Sequence, residues 1–340
     1  MNSFKYNKEL NNILKNYTKV FLLVDENSMN SCLPLLDINR EYDTILIQSG
    51  EINKTIEVST YIWSKLLEFR ADRDSVLINL GGGVITDMGG FVASTYKRGI
   101  DFINIPTTLL AQVDATTGGK TAINFLEQKN MVGLFVNPKK VFIDTIFLKT
   151  LSDRELKNGL AEVLKHGLIL DKNYLYFVLD EIKKDRADMD WTKIVDISVE
   201  LKTKVVEEDF RESGKRKILN FGHTVGHALE SYSLKNHKEP LKHGEAVILG
   251  MILAINISIK NYSIDKNSVY YIIEELKSIY NFSLEKFNIV ELVDFMGNDK
   301  KNRDKKILFV LLKDIGVATY NNIVSKKDIN KELYLLFSKL

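Results

Sequence analysis

The stretch SVLINLGGGVITDMGGF, residues 75–91, decides the fold class. Its first half is a short apolar run rich in branched side chains, which predicts a buried strand. Three consecutive glycines follow, and the segment after them predicts a helix. Such a turn lets a phosphate group approach the backbone amides at the helix N-terminus. The stretch therefore indicates an α/β unit that binds a nucleotide or another phosphorylated ligand.

The same rhythm extends over the first 150 residues. Further apolar runs predict buried strands at Lys19–Asp25, Thr44–Gly50, Phe102–Thr108 and Lys140–Asp144. A helical period covers Asn53–Arg70. Strands that alternate with helices are typical of a parallel sheet covered by helices. We therefore predict an α/β N-terminal domain with a Rossmann-like parallel sheet over residues 1–150.

Beyond about Leu151 the pattern becomes helical. Apolar residues recur at helical spacing over Arg154–Ile169, Asn173–Lys184, Thr192–Val206, His223–Ser233, His243–Lys260 and Ser268–Tyr280. Only Lys306–Leu312 predicts a strand. A chain of 340 residues exceeds the usual size of one core, so two domains are expected. We predict a mainly α-helical C-terminal domain over residues 151–340, with the binding site in the cleft between the domains.

Composition excludes several classes of protein. Hydrophobic residues make up 45% of the chain and charged residues 27%, and the net charge is +2, which argues against nucleic acid or a membrane surface as a partner. Cys32 is the single cysteine, so no internal disulfide is expected. The polar N-terminus is unlike a signal peptide, and no apolar run is expected to reach the length of a membrane span. A soluble, cytoplasmic protein is expected.

Two nucleotide-binding motifs do not fit. In the opening stretch, Gly81-x-Gly83 is followed by Thr86 where the dinucleotide fingerprint requires glycine. The segment TTGGKT, residues 116–121, suggests a phosphate-binding P-loop, but the first glycine of that motif would fall on Asp114. The sequence therefore indicates a glycine-rich phosphate contact that is neither the dinucleotide fingerprint nor a P-loop.

A second distinctive stretch is NFGHTVGHALE, residues 220–230. His223 and His227 are four residues apart, so one helical turn places both rings on the same face. His243 and Glu162 also lie in apolar, helix-forming segments, where a lone carboxylate is costly unless it binds a cation. Histidines with one carboxylate are a common catalytic zinc set, although paired histidines also occur on polar surfaces and in satisfied cores. The spacing is not that of an HExxH protease.

Cationic and amide side chains gather near both stretches. Each one alone is more often a solvated surface group, but together they predict a ligand with several negative charges beside a metal. The N-terminal members are Asp114, Lys120, Lys129 and Asn130, which we place in a loop rich in small residues, with Lys97 and Arg98 as further cations nearby. The C-terminal members are Lys165, Lys202, Arg216 and Asn220.

Several ordered blocks resemble the 3-dehydroquinate synthase family across nearly the whole chain. They are GGGVITDMGGFVASTYKRGIDFINIPTTLLAQVDATTGGKTAIN, KNMVG, TLSDRELKNGLAEVLKHGLI, ESGKRKILNFGHTVGHALE and HGEAV. Thr86 and Gly89 stand where the family commonly has Gly and Ala, and the block EEDFRESGKR varies an acidic stretch while keeping Glu212 and Arg216. None of these departures removes a motif side chain.

The resemblance implies a reaction and a site. The family converts 3-deoxy-D-arabino-heptulosonate 7-phosphate into 3-dehydroquinate and phosphate in the shikimate pathway, with NAD reduced and reoxidised in each turnover. It implies that Glu162, His223 and His243 bind the metal, Zn2+ or alternatively Co2+, and that His227 is a hydrogen-bonding partner. It also implies a homodimer in which Arg98 reaches the substrate phosphate in the neighbouring subunit.

Other roles also come from the resemblance. The substrate or catalytic residues are Arg98, Asp114, Lys120, Lys129, Asn130, Lys165, Lys202, Glu212, Arg216, Asn220, His227 and one of Lys300 and Lys301. The NAD-binding residues are Asp25, Asn27, Ser49, Gly50, Glu51, Lys54, Gly82, Gly83, Val84, Asp87, Thr107, Thr108, Phe147, Leu148, Lys149 and Thr150. Two alternative activities are weighed, another sugar-phosphate cyclase and a metal-dependent polyol dehydrogenase. A binding-only protein is disfavoured because no expected ligand or cation is missing.

Overall fold

The structure is a computed structural model that describes residues 3–126, 128–280, 286–297 and 307–338. It divides into two compact units, Met1–Leu156 and Lys157–Leu340. The helices of the first unit are α1 (Asn7–Leu14), α2 (Glu26–Ser31), α3 (Ile56–Glu68) and α4 (Gly83–Thr95). Its strands are β1 (Val20–Asp25), β2 (Asp43–Ile47), β3 (Val76–Gly81), β4 (Asp101–Pro106), β5 (Lys120–Phe125), β6 (Gln128–Phe135) and β7 (Lys140–Val141).

The first unit is built on a five-stranded sheet in the order β2-β1-β3-β4-β7, and every neighbouring pair is parallel. This confirms the predicted fold class. Along β1, Phe21 and Leu23 belong to one buried cluster, and Leu22 and Val24 belong to another. Both faces of the sheet are therefore covered, as near-continuous apolar strands require. The chain moves from β1 outward to β2 and then returns to β3 on the other side of β1, so the strand order reverses beside β1.

A short antiparallel hairpin, β5 with β6, corrects one expectation of the sequence analysis. We placed Lys120, Lys129 and Asn130 in a loop, but Lys120 begins β5 and the other two lie on β6. The segment was taken for a loop because Gly118 and Gly119 precede it and small residues fill it. Both glycines adopt left-handed backbone angles, with φ of 107° and 65°, and they form the turn that leads into the hairpin.

The second unit is mainly helical, as predicted. Its helices are α5 (Asp153–Leu170), α6 (Lys172–Ile182), α7 (Trp191–Glu208), α8 (His223–Asn236), α9 (His243–Asn261), α10 (Lys266–Tyr280), α11 (Ile289–Gly297) and α12 (Lys326–Ser338). Where one strand was expected there are two, β8 (Leu308–Asp314) and β9 (Val317–Ile323), paired as an antiparallel hairpin. The strand β9 was missed because its sequence, VATYNNI, is polar and largely exposed.

Helix α9 corrects the expectation that no apolar run reaches the length of a membrane span. It has 19 residues, and by length and composition alone it could cross a membrane. However, 72% of its apolar window is buried within the protein. Its apolar character therefore has a structural cause, because α9 packs against α8, α10, α12 and β8 as a core helix.

Candidate metal centre and cofactor edge

Glu162 on α5, His223 at the start of α8 and His243 at the start of α9 bring their side chains together in the second unit. One ligand atom from each lies within 4.8 Å of the other two. The Nε2 atoms of His223 and His243 lie 3.6 and 3.8 Å from Oε1 of Glu162. Glu162 is fully buried, and within the described residues its Oε1 accepts no hydrogen bond. A buried, hydrogen-bond-deficient carboxylate oxygen facing two imidazole nitrogens fits a divalent cation.

Glycines explain why three helices approach so closely. A Cβ on Gly250 of α9 would lie 2.0 Å from the carbonyl oxygen of Gly222, just before α8. A Cβ on Gly244 would lie 2.2 Å from the carbonyl oxygen of Asn158 on α5. Larger residues at either position would separate the helices. The glycines that a helix normally disfavours are therefore placed where α8 and α5 contact α9, and they bring the metal-ligating side chains together.

The second ring nitrogen of each histidine is also occupied. Nδ1 of His223 lies 3.1 Å from the carbonyl oxygen of Phe221, and Nδ1 of His243 lies 3.3 Å from Oε2 of Glu230. An Nδ1–H that donates to an oxygen leaves the Nε2 lone pair for a cation. Both histidines therefore present the same nitrogen towards Glu162.

Charge at the centre favours cation binding. Burial opposes the ionised form of Glu162, but Lys165, His223 and His243 outweigh burial and hold its pKa well below the usual range. Burial also opposes the charged form of His243, yet its interactions with Glu162 and Glu230 raise its pKa to about 10. The carboxylates that attract a proton to this ring would equally attract a cation to it.

Three further predicted residues of the second unit, His227, Lys165 and Lys202, lie on α8, α5 and α7. His227 is one turn beyond His223, with ring centroids 5.1 Å apart, and its ring centroid is 6.0 Å from that of His243. Lys165 is buried and forms an ion pair with Glu162. Lys202, on α7, is also buried. These positions keep cations below the surface, where a charge requires a partner.

Arg216 and Asn220 are held by a turn that the sequence analysis did not identify. Buried Arg216 donates from Nη1 to the carbonyl oxygen of Phe210, and Asn220 donates to Oε1 of Glu212 at 2.6 Å. Asp209 accepts hydrogen bonds from the backbone amides of Ser213, Gly214 and Arg216. Burial opposes its ionised form, but these amides lower the pKa of Asp209 to about 2. Asp209 thus fixes the loop that carries Arg216.

In the first unit, the predicted cofactor residues follow the carboxyl ends of parallel strands. Asp25 ends β1, and its side chain caps α2 by accepting from the Ser28 amide. Gly82 follows β3, and a Cβ on it would lie 3.1 Å from the Thr108 side chain. This edge of a parallel sheet, beside a reversal of strand order and a helix N-terminus, is where dinucleotides bind.

The remaining predicted cofactor residues lie along the same edge. Thr107 is buried after β4, and its amide donates to the Gly81 carbonyl. After β2, the Ser49 amide donates to Glu26, and Asn27 lies exposed on α2. The other residues assigned to the cofactor on these segments are Gly50, Glu51, Gly83 and Val84, with Phe147, Leu148, Lys149 and Thr150 on the 3-10 helix after β7.

A largely buried polar network connects residues predicted to bind NAD with a residue predicted to bind the substrate. Lys54 is 3% exposed, and its Nζ lies 2.6 Å from both Asp87 Oδ2 and Asn130 Oδ1. Asn124 accepts from the Asn130 amide and donates to Glu51. Burial raises the pKa of Asp87, and the Lys54 ammonium opposes that shift. Asn124 was not identified from the sequence, where the only signal was its place in the block GGKTAIN.

Asp114, Lys120, Lys129 and Arg98 also lie in the first unit. Asp114 lies in a π-helical turn, Ala111–Ala115, a geometry that is frequent at functional sites. Lys120 lines a small cavity with Asp87 and Thr116. Lys129 is partly exposed on β6, and Arg98 is exposed with φ of 71°. Lys300 and Lys301 lie outside the described residues.

The fold and the site together define a class of protein. Its members have an α/β unit with a nucleotide-type sheet edge and a helical unit that carries a largely buried metal-binding set of one glutamate and two histidines. Models of the 3-dehydroquinate synthase N-terminal and C-terminal domains match residues 44–158 and 159–302. The chain belongs to the 3-dehydroquinate synthase family.

Individual relatives agree with this membership. A 3-dehydroquinate synthase of Parabacteroides distasonis is 42% identical over 326 residues, covering 93% of this chain and 91% of the relative. A solved 2-epi-5-epi-valiolone synthase of Streptomyces hygroscopicus subsp. jinggangensis, with NAD+ and Zn2+ bound, has a TM-score of 0.85 at 25% identity and covers 97% of this chain and 93% of its own. A solved 2-deoxy-scyllo-inosose synthase, complexed with carbaglucose-6-phosphate, NAD+ and Co2+, has a TM-score of 0.82 at 25% identity, with 97% and 94% covered.

Proposed function

We propose that this protein is an enzyme that converts 3-deoxy-D-arabino-heptulosonate 7-phosphate into 3-dehydroquinate and phosphate, as a phosphate-eliminating carbon-oxygen lyase of the shikimate pathway. The observation that carries the proposal is the largely buried set of Glu162, His223 and His243 within a chain whose two halves both match the family. We place the reaction in the cytoplasm. The unit over residues 1–150 binds NAD, and the unit over residues 151–340 binds the metal and substrate.

The charge of each predicted site residue indicates which part of the metal or substrate it would bind. Zinc or cobalt held by Glu162, His223 and His243 would supply a Lewis acid for substrate hydroxyls, and NAD+ would accept and return a hydride. The substrate carries a carboxylate and a phosphate, so it requires cations at both ends. Lys120, Lys129, Lys165, Lys202 and Arg216 would supply these cations through charge-assisted hydrogen bonds. Asp114, Asn130 and Asn220 would orient hydroxyls, with Glu212 holding Asn220.

The carboxyl edge of the sheet suits the cofactor. Gly82 and Gly83 leave room for the backbone amides of α4 to approach a pyrophosphate. Around them, the Ser49–Lys54 loop and the Thr107–Thr108 segment flank the same edge. The 3-10 helix Thr145–Thr150 follows the last strand of the sheet.

The reaction itself is the first test. Purified protein is incubated with the heptulosonate phosphate and catalytic NAD+, and phosphate release and the cyclic product are followed separately. Equal amounts of phosphate and 3-dehydroquinate are expected, without net NADH. Phosphate release without the cyclic product would contradict the proposal. Turnover of a different phosphorylated ketose instead would favour another sugar-phosphate cyclase, the activity class of the two solved relatives.

Lys120→Met tests the division of the first unit between substrate and cofactor. Methionine keeps much of the apolar stem and removes the ammonium, so one charge-assisted hydrogen bond is lost. We expect kcat/KM to fall by about 10- to 150-fold, equivalent to roughly 1.5–3 kcal/mol, with NAD+ affinity and Tm near wild type. Lys139→Met, at an exposed lysine 3.8 Å from Asp101, is the control and should leave kcat/KM unchanged. A collapse of NAD+ affinity with unchanged substrate affinity would assign Lys120 to the cofactor.

We further propose a homodimer in which Arg98 acts on the partner's substrate. Lys97 and Arg98 both have left-handed backbones, with φ of 49° and 71°, and such strain in non-glycine residues concentrates at functional positions. Arg98→Ala and Lys165→Met proteins, each inactive, are mixed and the heterodimers isolated. One intact site per heterodimer should restore a substantial part of the activity. Verified heterodimers without activity would place Arg98 in its own subunit's site.

A further inference from the structure

We infer that Glu230 is a positioning residue of the metal centre, which fixes the ring of His243 and strengthens binding of the divalent cation. The inference rests on the proposed function, because it takes Glu162, His223 and His243 as the ligands. Glu230 ends the quoted stretch NFGHTVGHALE, but no role was predicted for it from the sequence, and the role inferred here follows from the geometry of the second unit.

Glu230 lies on α8, and its side chain is 8% exposed. A carboxylate at that depth is costly unless a hydrogen bond or an opposite charge compensates it. Its Oε2 lies 3.3 Å from Nδ1 of His243, which begins the neighbouring helix α9. Glu230 therefore contacts the far side of the ring whose Nε2 faces Glu162.

The two ends of the imidazole are chemically linked. A neutral histidine carries one proton, so an Nδ1–H that donates to Glu230 leaves the Nε2 lone pair for the cation. A carboxylate acceptor also makes the ring a more basic ligand, and this carboxylate–histidine–metal arrangement recurs at zinc sites. His223 has a weaker acceptor, the Phe221 carbonyl, so the effect of Glu230 should be concentrated on His243.

His243 is also the ligand that most needs orientation. Its side chain is 25% exposed, compared with 11% for His223 and 0% for Glu162. The backbone next to it is fixed, because the Gly244 amide donates to Oδ1 of Asn158 at 2.7 Å. That contact fixes the backbone but does not itself restrict rotation of the His243 ring about its side-chain torsions. The contact with Glu230 restricts this rotation.

The test is the affinity of the purified, metal-free protein for Zn2+, measured by competition with a fluorescent chelator. Glu230→Gln keeps the size of the side chain and removes its charge. We expect binding to weaken by about 10- to 100-fold, the range found for outer partners of metal ligands. Glu181→Gln is the matched control, because Glu181, near the end of α6, is also 8% exposed but contacts Lys184 and the Asp190 amide, which both follow that helix. Its zinc affinity should equal that of wild type.

A second measurement separates positioning from general destabilisation. The visible absorption of bound Co2+ reports the geometry of its ligands, so Glu230→Gln should alter that spectrum and Glu181→Gln should not. If Glu230→Gln does not fold, Glu230→Asp keeps the charge, moves the carboxylate back by one methylene and should give a smaller loss of affinity. Wild-type zinc affinity and an unchanged Co2+ spectrum in a folded Glu230 variant would overturn the inference while the metal centre stands. A wild-type protein that binds no zinc would overturn both the inference about Glu230 and the proposed metal centre.

Discussion

Replacing His223 with alanine is expected to abolish formation of 3-dehydroquinate and to weaken Zn2+ binding by more than about 100-fold. The bound is a minimum, because even outer partners of metal ligands contribute about 10- to 100-fold to metal affinity, and a direct ligand contributes more. Two remaining ligands, Glu162 and His243, would hold a cation without the third point that fixes its geometry. Zinc affinity is measured by chelator competition and turnover by product formation in zinc-saturated buffer.

The control for this experiment lies just beyond the end of the same helix. His237 immediately follows α8, and its Nδ1 contacts Oγ of Ser233 at 3.2 Å rather than Glu162. His237→Ala should keep wild-type zinc affinity and turnover. His227→Ala is informative as a third variant, because His227 lies near both ligands yet is assigned a hydrogen-bonding role. We expect it to lose turnover while it retains most zinc affinity. Normal zinc binding in His223→Ala would refute the ligand set.

The apolar periodicity of the sequence predicted most of the fold. The helices α5 to α10 begin and end within three residues of the predicted segments, because each has a continuous apolar stripe that must be buried. Both hairpins were harder to predict. β9 is polar and largely exposed, so it lacks the period that marks a half-buried strand. β6 is largely exposed over its length and follows a glycine-rich turn.

The three metal ligands could be predicted because their residue types are uncommon in this context: the chain has only five histidines, and Glu162 is a carboxylate within an apolar helix. The residues that support it carry no such signal. Glu230 and Asp209 are ordinary acidic residues in sequence, and only the folded chain places one against His243 Nδ1 and the other against three backbone amides. Asp209 closes a local turn that matched no recognised sequence pattern, whereas the contact of Glu230 with His243 depends on the packing of two helices, which local patterns do not encode. The proximity of Lys54 to Asn130, 76 positions apart, is another such contact.

That contact gives the largest expected effect on stability. Lys54→Met removes a buried ammonium whose Nζ lies 2.6 Å from both Asp87 and Asn130. Asp87, whose side chain is 20% exposed, would remain largely buried without its cation, and breaking a buried ion pair in this way costs up to about 3–5 kcal/mol. For a unit of this size we expect Tm to fall by about 6–20 °C, measured by thermal unfolding monitored by circular dichroism. NAD+ affinity should fall as well, because Asp87 lies on the helix that begins at the glycine turn.

The pH dependence of the Tm deficit tests whether the unpaired charge of Asp87 causes the instability of Lys54→Met. Burial raises the pKa of Asp87 above its unfolded value, and Lys54 opposes that rise, so the variant's pKa should be higher still. An acid with a raised folded pKa destabilises the protein above that pKa and ceases to do so once it is protonated. The Tm deficit of Lys54→Met should therefore be largest at alkaline pH and shrink as the pH falls through the pKa of Asp87.

Two further variants test whether the instability comes from the unpaired charge of Asp87. Adding Asp87→Asn to Lys54→Met removes the unpaired charge and should recover much of the lost Tm, with little remaining pH dependence. Lys65→Met breaks an exposed pair with Glu68, at 2.8 Å, and should leave Tm close to wild type because solvent screens that pair. A Lys54→Met deficit that is independent of pH, or that Asp87→Asn does not reduce, would mean that lost packing of the lysine stem, and not the isolated charge of Asp87, causes the instability.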